Sequence, residues 1–505
     1  FNPYIMKSGV PVRMDCALYF AATRDPNDAL EAWLKLYGGN RLPDPIPAPR
    51  TYGEEIQLSR QAYLHSCWNE EAKGWGHCVG WDAYPSGGML ALLDLDAFLN
   101  PGGEDQSLVR ERVELVYDYI VSRNGPGGLG SSSGCHVMNF EPSFYWGVTE
   151  SALPGWIQRA EGMRRSQNSD GSWGFHPTTP ERAMLGDEGE VVSGTISPNA
   201  MYLMRLARIS ADPTATEAGL QALDALNQRT VPRGAQGWEC PIAAADILVS
   251  GHGARANLDA YRVTGNPQYL ERAVYWARSG IVFHYLWNLE DRPLQRYACI
   301  PIFGTTFFSH SWLGVPVQWC GLVYSYALQE LAEFDDSYPW RTIGEGIVNS
   351  AMIQQVVSGK NIGTLPDSYG DYFLTARGAW INPENIMTNL HALEGNSLNI
   401  QTVFPGRRGH DALRISANAA IPEAKQEDGA LRFSIESKKQ RVTEILIAPM
   451  ERIPQGVWIE PDAALPREKS LFEKSAAWRY LSQQKALLIH VQHEEERMPL
   501  RVEMQ

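Results

Sequence analysis

Four short stretches of this chain place acid–base or sulfur-bearing residues just after glycine-rich, mostly Trp-bearing text. Asn69–Gly76 (NEEAKGWG) is followed by His77 and Cys78, and Arg123–Gly130 (RNGPGGLG) leads to Cys135 and His136. Gln167–Gly174 (QNSDGSWG) leads to His176, and Arg233–Trp238 (RGAQGW) leads to Glu239 and Cys240. Histidine titrates near neutrality and moves a proton without a large pKa shift. A carboxyl beside an indole, as at Asp82 after Trp81 and Glu239 after Trp238, is desolvated and pushed toward the pKa a general acid requires. Polar groups that arrive at one hollow from several equivalent loops are the usual setting of a site. The same residues serve equally well as core fillers and structural hydrogen-bond partners.

Two further groupings carry proton chemistry. His136 is followed by Asn139, Glu141, Tyr145 and Trp146. His252, Arg255, Asn257 and Tyr261 form a second set, in which helical spacing puts Arg255 one turn from His252. A tyrosine can take a proton from sugar C5 or protonate a leaving oxygen, while Asn, His or Arg offsets a substrate carboxylate. His136, Tyr145, His252, Tyr261 and Glu239 are therefore the catalytic candidates. Asn139, Arg255, Trp75, Trp81, Trp238, Asp82 and His310 are the substrate-binding candidates, the indoles offering flat faces for sugar rings. Hydrolysis would instead need two carboxyls about 5–10 Å apart. Asp82, Glu141, Asp170, Glu239, Asp246, Asp259, Asp367 and Asp371 are available, and no pair is selected by sequence. Asp170 in Asn-Ser-Asp-Gly reads as turn chemistry. Leu365–Tyr372 (LPDSYGDY) reads as a late loop able to close over a mouth near a sugar. The Cys and His residues show no compact ligand spacing, so neither a metal nor another cofactor is expected.

The elements that must position these residues follow from periodicity. Residues 1–50 are Pro-rich and irregular, an N-terminal strap or the remnant of a preceding domain. From 51 to 394 the apolar period is helical, as at Val109, Val113, Val116 and Ile120. The glycine-rich loops recur roughly every 45–65 residues between helical segments, which predicts repeated hairpins that stack or close into a ring. From 395 to 505 the period becomes two, as at Leu431, Phe433 and Ile435 and at Leu487, Ile489 and Val491. That pattern predicts a half-buried antiparallel sheet in a sandwich. The expected fold is an (α/α) toroid of about five to seven helical hairpins followed by a C-terminal antiparallel β-sandwich.

Gln167–Trp173 (QNSDGSW) resembles the QW motif of squalene–hopene cyclases and related toroids, without their Asp-rich catalytic motif. That resemblance implies a fold and not cyclase chemistry. Gly265–Ala277 (GNPQYLERAVYWA) is similar to hairpin text of six-hairpin glycosidases and (α/α)-toroid polysaccharide lyases, which implies action on carbohydrate polymers.

Composition narrows the partners. The net charge of −14 disfavours nucleic acid. No run of apolar residues is long enough to span a membrane. Seven scattered Cys form no disulfide framework. Lys is absent between Lys73 and Lys360 while Arg is frequent there, and Arg grips carboxylates bidentately. The expectation is a polysaccharide lyase acting by β-elimination on a uronic-acid glycan, with a paired-carboxylate glycoside hydrolase as the alternative. A terpenoid cyclase or isomerase and a non-catalytic glycan-binding protein are the other classes considered. The chain opens at Phe1 without an initiator methionine, which suggests processing, and a secreted or periplasmic location is expected with the cytoplasm left open.

Overall fold

The computed structural model describes every residue except 1–6, 12, 14, 15, 17, 21, 23, 24, 38–40, 103, 104, 289–295, 308–311, 371–374 and 505. An initial helix, α1 (Asp28–Leu36), lies outside the main series. Then α2 (Tyr52–Gln61), α3 (Gly87–Leu99), α4 (Gln106–Asn124), α5 (Glu141–Tyr145), α6 (Thr149–Ser166) and α7 (Ser193–Ser210) follow in order. They continue as α8 (Pro213–Asn227), α9 (Ile247–Thr264), α10 (Pro267–Ile281), α11 (Gln318–Leu331), α12 (Trp340–Gln354) and α13 (Glu384–Leu393).

Burial alternates along this series. The odd-numbered helices from α3 to α13 are buried on most sides, whereas the even-numbered ones from α2 to α10 bury mainly one side and α12 is the exception, buried on most sides. A helix apolar all round belongs inside, and a one-sided helix belongs on the outer wall. Packing follows that rule: α3 pairs with α4, α5 with α6, α7 with α8, α9 with α10, and α11 with α12. The last helix, α13, packs against α2 and α3 and closes the ring. The result is a toroid of six helix pairs. The outer helix α12 is covered further by the preceding chain, where Ile46 O accepts from Asn349 and Met352 O accepts from Arg50.

The two rims differ in chain length. Each inner helix returns to an outer one through two to eight residues, whereas each outer helix reaches the next inner one through 16 to 36. The short turns are tightly capped. Gly265 ends α9 at φ +70°, a left-handed position that suits glycine. Asn266 then caps α10, its side chain accepting from Gln268 N at 3.1 Å, with Pro267 in the first turn. Small strands sit in the long connections: β1 (Trp68–Asn69), β2 (Gly74–Gly76) and β3 (Ala83–Tyr84) in the first, and the hairpin β4 (Leu365–Gly370) and β5 (Thr375–Ile381) in the last.

Ion pairs cross the middle of the ring. Arg205 on α7 meets Glu141 on α5 and Glu330 on α11, and Arg255 on α9 meets Glu330 at 2.7 Å. Arg208 and Arg262 share Asp259. Burial opposes the charge on Glu330, but the surrounding guanidiniums hold its carboxyl well below the ordinary range. Breaking such a pair leaves an uncompensated buried charge.

After α13 the chain is all strand: β6 (Gln401–Val403), β7 (Arg414–Ala417), β8 (Ala420–Glu427), β9 (Ala430–Glu436), β10 (Val442–Ala448), β11 (Gly456–Ile459), β12 (Ala463–Ala464), β13 (Ala477–Leu481), β14 (Ala486–Gln492) and β15 (Arg497–Glu503). Two five-stranded antiparallel sheets result, ordered β13-β14-β10-β7-β6 and β12-β11-β15-β9-β8. Ile445, Ile447, Leu487, Ile489 and Val491 face the second sheet across the sandwich core. The first sheet departs from the half-buried expectation. Leu446, Ala448, Ala486 and Leu488 on its other face join the core of the toroid, so this sheet is covered on both sides. It packs on α5 and α7, where Arg414 and Ser416 donate to the carbonyls of Ala207 and Ile209 near the C-terminal end of α7.

Candidate active site

A cavity of about 680 Å³ opens where the inner helices begin. Its size lies within the range of small-ligand sites. All six long connections contribute to its lining. They supply His77, Cys78 and Trp81 from the first, His136 from the second, Arg182 from the third, and Trp238 and Glu239 from the fourth. Trp312 comes from the fifth, and Asp367 with Gly378, Ala379 and Ile381 from the sixth. The first two turns of α9 and α11 add Leu248, His252, Trp319 and Val323.

Local structure fixes each group. The β1–β2–β3 sheet delivers His77 and Trp81. It closes tightly at Gly74, where a Cβ would fall 2.2 Å from the carbonyl carbon of Tyr84. Asn382, just before α13, ties two connections together: its backbone N donates to His77 O at 3.0 Å and its side-chain amide to Gly134 O at 3.1 Å. His136 stacks on Trp319 with ring centroids 4.7 Å apart and meets the edge of His77 at 4.9 Å. Its backbone N donates to the buried carboxylate of Glu384 at 3.1 Å, and Asn385 Nδ2 donates to its Nδ1 at 3.0 Å. Asp246 caps α9, accepting from Leu248 N at 3.0 Å and from Gln236 N at 2.8 Å, and so anchors the turn that presents Trp238 and Glu239. Trp81 and Trp238 are 59% and 42% exposed at the mouth, whereas Trp312 and Trp319 are buried deeper.

The electrostatics divide the titratable groups. Burial, reinforced by the charge of Glu239, raises Asp367 from 3.8 to about 7. Burial lowers His77 to about 4, with the neighbouring His136 adding to the effect. Burial and then Arg255 lower His252 to about 4. Burial and then Asp367 push the Cys78 thiol up to about 12, which leaves it inert as a nucleophile at neutral pH. At neutral pH the cavity thus holds two uncharged imidazoles and a carboxyl poised between its two states. Nδ1 of His252 has no hydrogen-bond partner among the described residues.

Of the sequence-derived candidates, His136, His252, Glu239, Trp81 and Trp238 line this cavity. Tyr145 does not. It ends α5 at the opposite rim, donates to Asp94 Oδ2 at 2.6 Å and lies under Arg441 of the sandwich. Burial and then the Asp94 charge raise its pKa well above the ordinary value. Tyr261 is also displaced. It shares α9 with His252 but lies roughly 13 Å further along the helix axis, packed against Phe334 and Arg408. Arg255 is held in the wall by Glu330 rather than facing the mouth. Asn139 is placed by its backbone N, which donates to Glu141 Oε2 at 2.8 Å, and it does not line the cavity. Trp75 is largely buried, its indole donating to Tyr63 O at 2.8 Å, and it lines the floor of an adjoining groove rather than this cavity. Asp82 lines an adjoining groove instead. His310 and Asp371 lie outside the described residues.

His176, expected at the same rim, is exposed and paired with Glu188. The remaining carboxylate candidates have structural duties. Asp170 closes its turn through Ser172, Glu141 and Asp259 hold arginines, and Asp246 caps α9. Glu239 and Asp367 are left as the candidate pair in the cavity. Sequence reasoning gave no role to Arg182, Trp312 or Trp319. Arg182 and Trp312 lie in loops whose aromatic or arginine content many loops here share, and Trp319 lies in the first turn of α11 with no distinguishing signal. No group of three or more His, Cys, Asp and Glu residues able to hold a metal ion occurs among the described residues.

No family model and no curated protein matches the chain. Solved structures similar to it include the unsaturated glucuronyl hydrolase of Bacillus sp. GL1, at 13% identity and a TM-score of 0.39 over 68% of this chain and 94% of that one. A family 76 α-mannanase of Bacteroides thetaiotaomicron is 11% identical with a TM-score of 0.44, covering 69% and 96% of the two chains. The cellobiose 2-epimerase of Bacillus thermoamylovorans is 12% identical with a TM-score of 0.41, covering 68% and 99%. Likeness at this level transfers no residue roles.

Proposed function

We propose that this chain is a carbohydrate-active enzyme that cleaves glycosidic bonds by hydrolysis, with Asp367 and Glu239 as its carboxyl pair. The observation that supports this reading is a carboxyl held near pKa 7 in the same cavity as a second carboxylate, between four indoles. A carboxyl that keeps its proton near neutrality beside a second carboxyl can serve as the acid of a hydrolytic pair. Asp367 gives its proton to the glycosidic oxygen as the bond from that oxygen to C1 breaks. Glu239 supplies the electron pair on the other side, attacking C1 itself or taking a proton from the water that does. NMR of the product anomer separates those two cases, since the first retains configuration and the second inverts it. Trp81 and Trp238 offer apolar faces to the sugar.

The decisive experiment is a screen of neutral and acidic polysaccharides for new reducing ends, repeated with Asp367→Asn and Glu239→Gln. Release of reducing sugar by the wild type and its loss in both variants supports the reading. Turnover unchanged in both variants overturns it. One observation favours a second reading, β-elimination on a uronate: His77 and His136 are in ring contact, and Arg182 is the one Lys or Arg among the cavity-lining residues described. In that case the product carries a double bond that absorbs in the ultraviolet, and the His136→Ala variant loses it.

A further inference from the structure

A second groove of about 570 Å³ adjoins the cavity, and the two share His77 and Trp81 as a common border. Beyond that border lie Asp82, Tyr84 and Ser133. Trp81 and Tyr84 are 59% and 58% exposed, so two large rings stand open to solvent within one connection. Neither ring is needed there for packing. Tyr84 is held by its backbone, as the register partner of Trp75 in the β2–β3 ladder, which leaves its side chain unconstrained. Exposed aromatic faces with nearby hydroxyl and carboxylate groups suit a pyranose, whose C–H face stacks while its rim hydroxyls hydrogen-bond.

We infer that this groove is a second sugar subsite, which holds the continuation of the glycan whose scissile bond sits in the cavity. The inference rests on the hydrolytic reading above and adds the substrate class. The substrate is an oligomer rather than a single glycoside, and the sugar at this subsite is neutral. Asp82 brings a carboxylate to the groove, and no Lys or Arg lines it among the described residues. A uronate here would meet like charge with nothing to offset it. A chain leaving the cavity past Trp81 enters the groove directly, because that indole borders both.

The test compares wild type, Tyr84→Ala and Tyr84→Phe on hexasaccharides and disaccharides of mannan, xylan, cellulose and starch. Removing one stacking face is expected to lower the ratio of kcat/KM for hexasaccharide over disaccharide by about tenfold in Tyr84→Ala. Tyr84→Phe keeps the face and is expected to keep the ratio. Tyr84 is exposed, so loss of folding does not obscure the result. An unchanged ratio in Tyr84→Ala overturns the subsite. Binding is read separately by tryptophan fluorescence in an Asp367→Asn background, with and without Tyr84→Ala. Tyr84-dependent hexasaccharide binding without any turnover by wild type would sink the hydrolytic reading and keep the subsite. Turnover with Tyr84-independent ratios and binding would do the reverse. Failure of every neutral hexasaccharide to bind, or tighter binding of oligogalacturonate, also overturns the subsite as stated.

Discussion

At one rim of the toroid the inner helices begin, after connections of 16 to 36 residues; at the other they end, and two to eight residues return the chain outward. The first rim holds His77, His136, Glu239, His252 and Asp367 around open space. At the second, Tyr145 is fastened to Asp94 and covered by Arg441 of the sandwich. Titratable side chains occur at both ends, so their presence does not decide which end does chemistry. The connections differ instead. Long ones surround the hollow of the first rim, whereas the short capped turns of the second meet the sandwich, and a pocket of about 940 Å³ lies there between the α7–α8 turn, α6 and the loops of the sandwich. The sandwich settles the second rim further, because the sheet on α5 and α7 buries both its faces.

The comparison breaks most visibly at Asp367. Asp367→Asn is expected to lower kcat on natural glycans by about 10²–10⁴-fold, the usual contribution of a positioned acid. A dinitrophenyl glycoside, whose leaving group needs no proton, should retain most of its rate. Equal losses on both substrates would place Asp367 outside the acid role. Glu330→Gln probes the buried ion network instead. It leaves Arg205 and Arg255 without their shared partner and is expected to cost about 3–5 kcal/mol in urea unfolding. A loss confined to kcat, with stability intact, would contradict the structural assignment of Arg255.

The third prediction follows from the sign of the Asp367 shift. Its folded pKa of about 7 exceeds its ordinary 3.8, so between those values the folded state holds a proton that the unfolded state has lost. Stability must therefore fall as pH rises through that window, and the penalty is fully present above about pH 7. Asp367→Asn removes it. The variant should gain on the order of a few kcal/mol over wild type at pH 8 and less at pH 5, measured as a Tm difference at each pH. Activity should decline on the alkaline side as the acid loses its proton. A gain that is the same at both pH values would refute the shift.

The smallest effect is expected at the closed rim. Tyr145→Phe removes the hydrogen bond to Asp94 in a buried place and should lower stability by about 1–3 kcal/mol. Its kcat/KM should stay near that of wild type, as should that of Tyr261→Phe. A large loss of kcat in either variant, with the fold intact, would move the chemistry to the wrong rim.

The architecture was legible from three signals together. The helical period with its recurrent glycine-rich loops predicts stacked or ring-closed hairpins, the resemblance to toroid proteins selects the ring, and the change to period two near residue 395 predicts the sandwich, whose first strand begins at Gln401. The recurrent glycine-rich loops also predicted that His77, His136, His176 and Glu239 would meet; His77, His136 and Glu239 border one cavity, whereas His176 is exposed and paired with Glu188. The segment bearing Asp367 was legible as one able to close over a mouth, although it is strand β4 rather than a loop, and the raised pKa of Asp367 was not legible. That shift depends on burial and on Glu239, more than a hundred residues away in the chain. Likewise, spacing along α9 placed His252 and Arg255 within a turn of each other. It could not say that one would face open space and the other a glutamate on α11.

The sequence by itself determined which residues share a helix face, where helices stop and where strands begin, because those are local matters of spacing, capping and turn chemistry. Only the tertiary structure decided which end of each helix faces the mouth, which sheet is covered twice and which carboxyls become neighbours. Those outcomes depend on how the ring closes and on what the sandwich covers, and both bring together residues far apart in the chain.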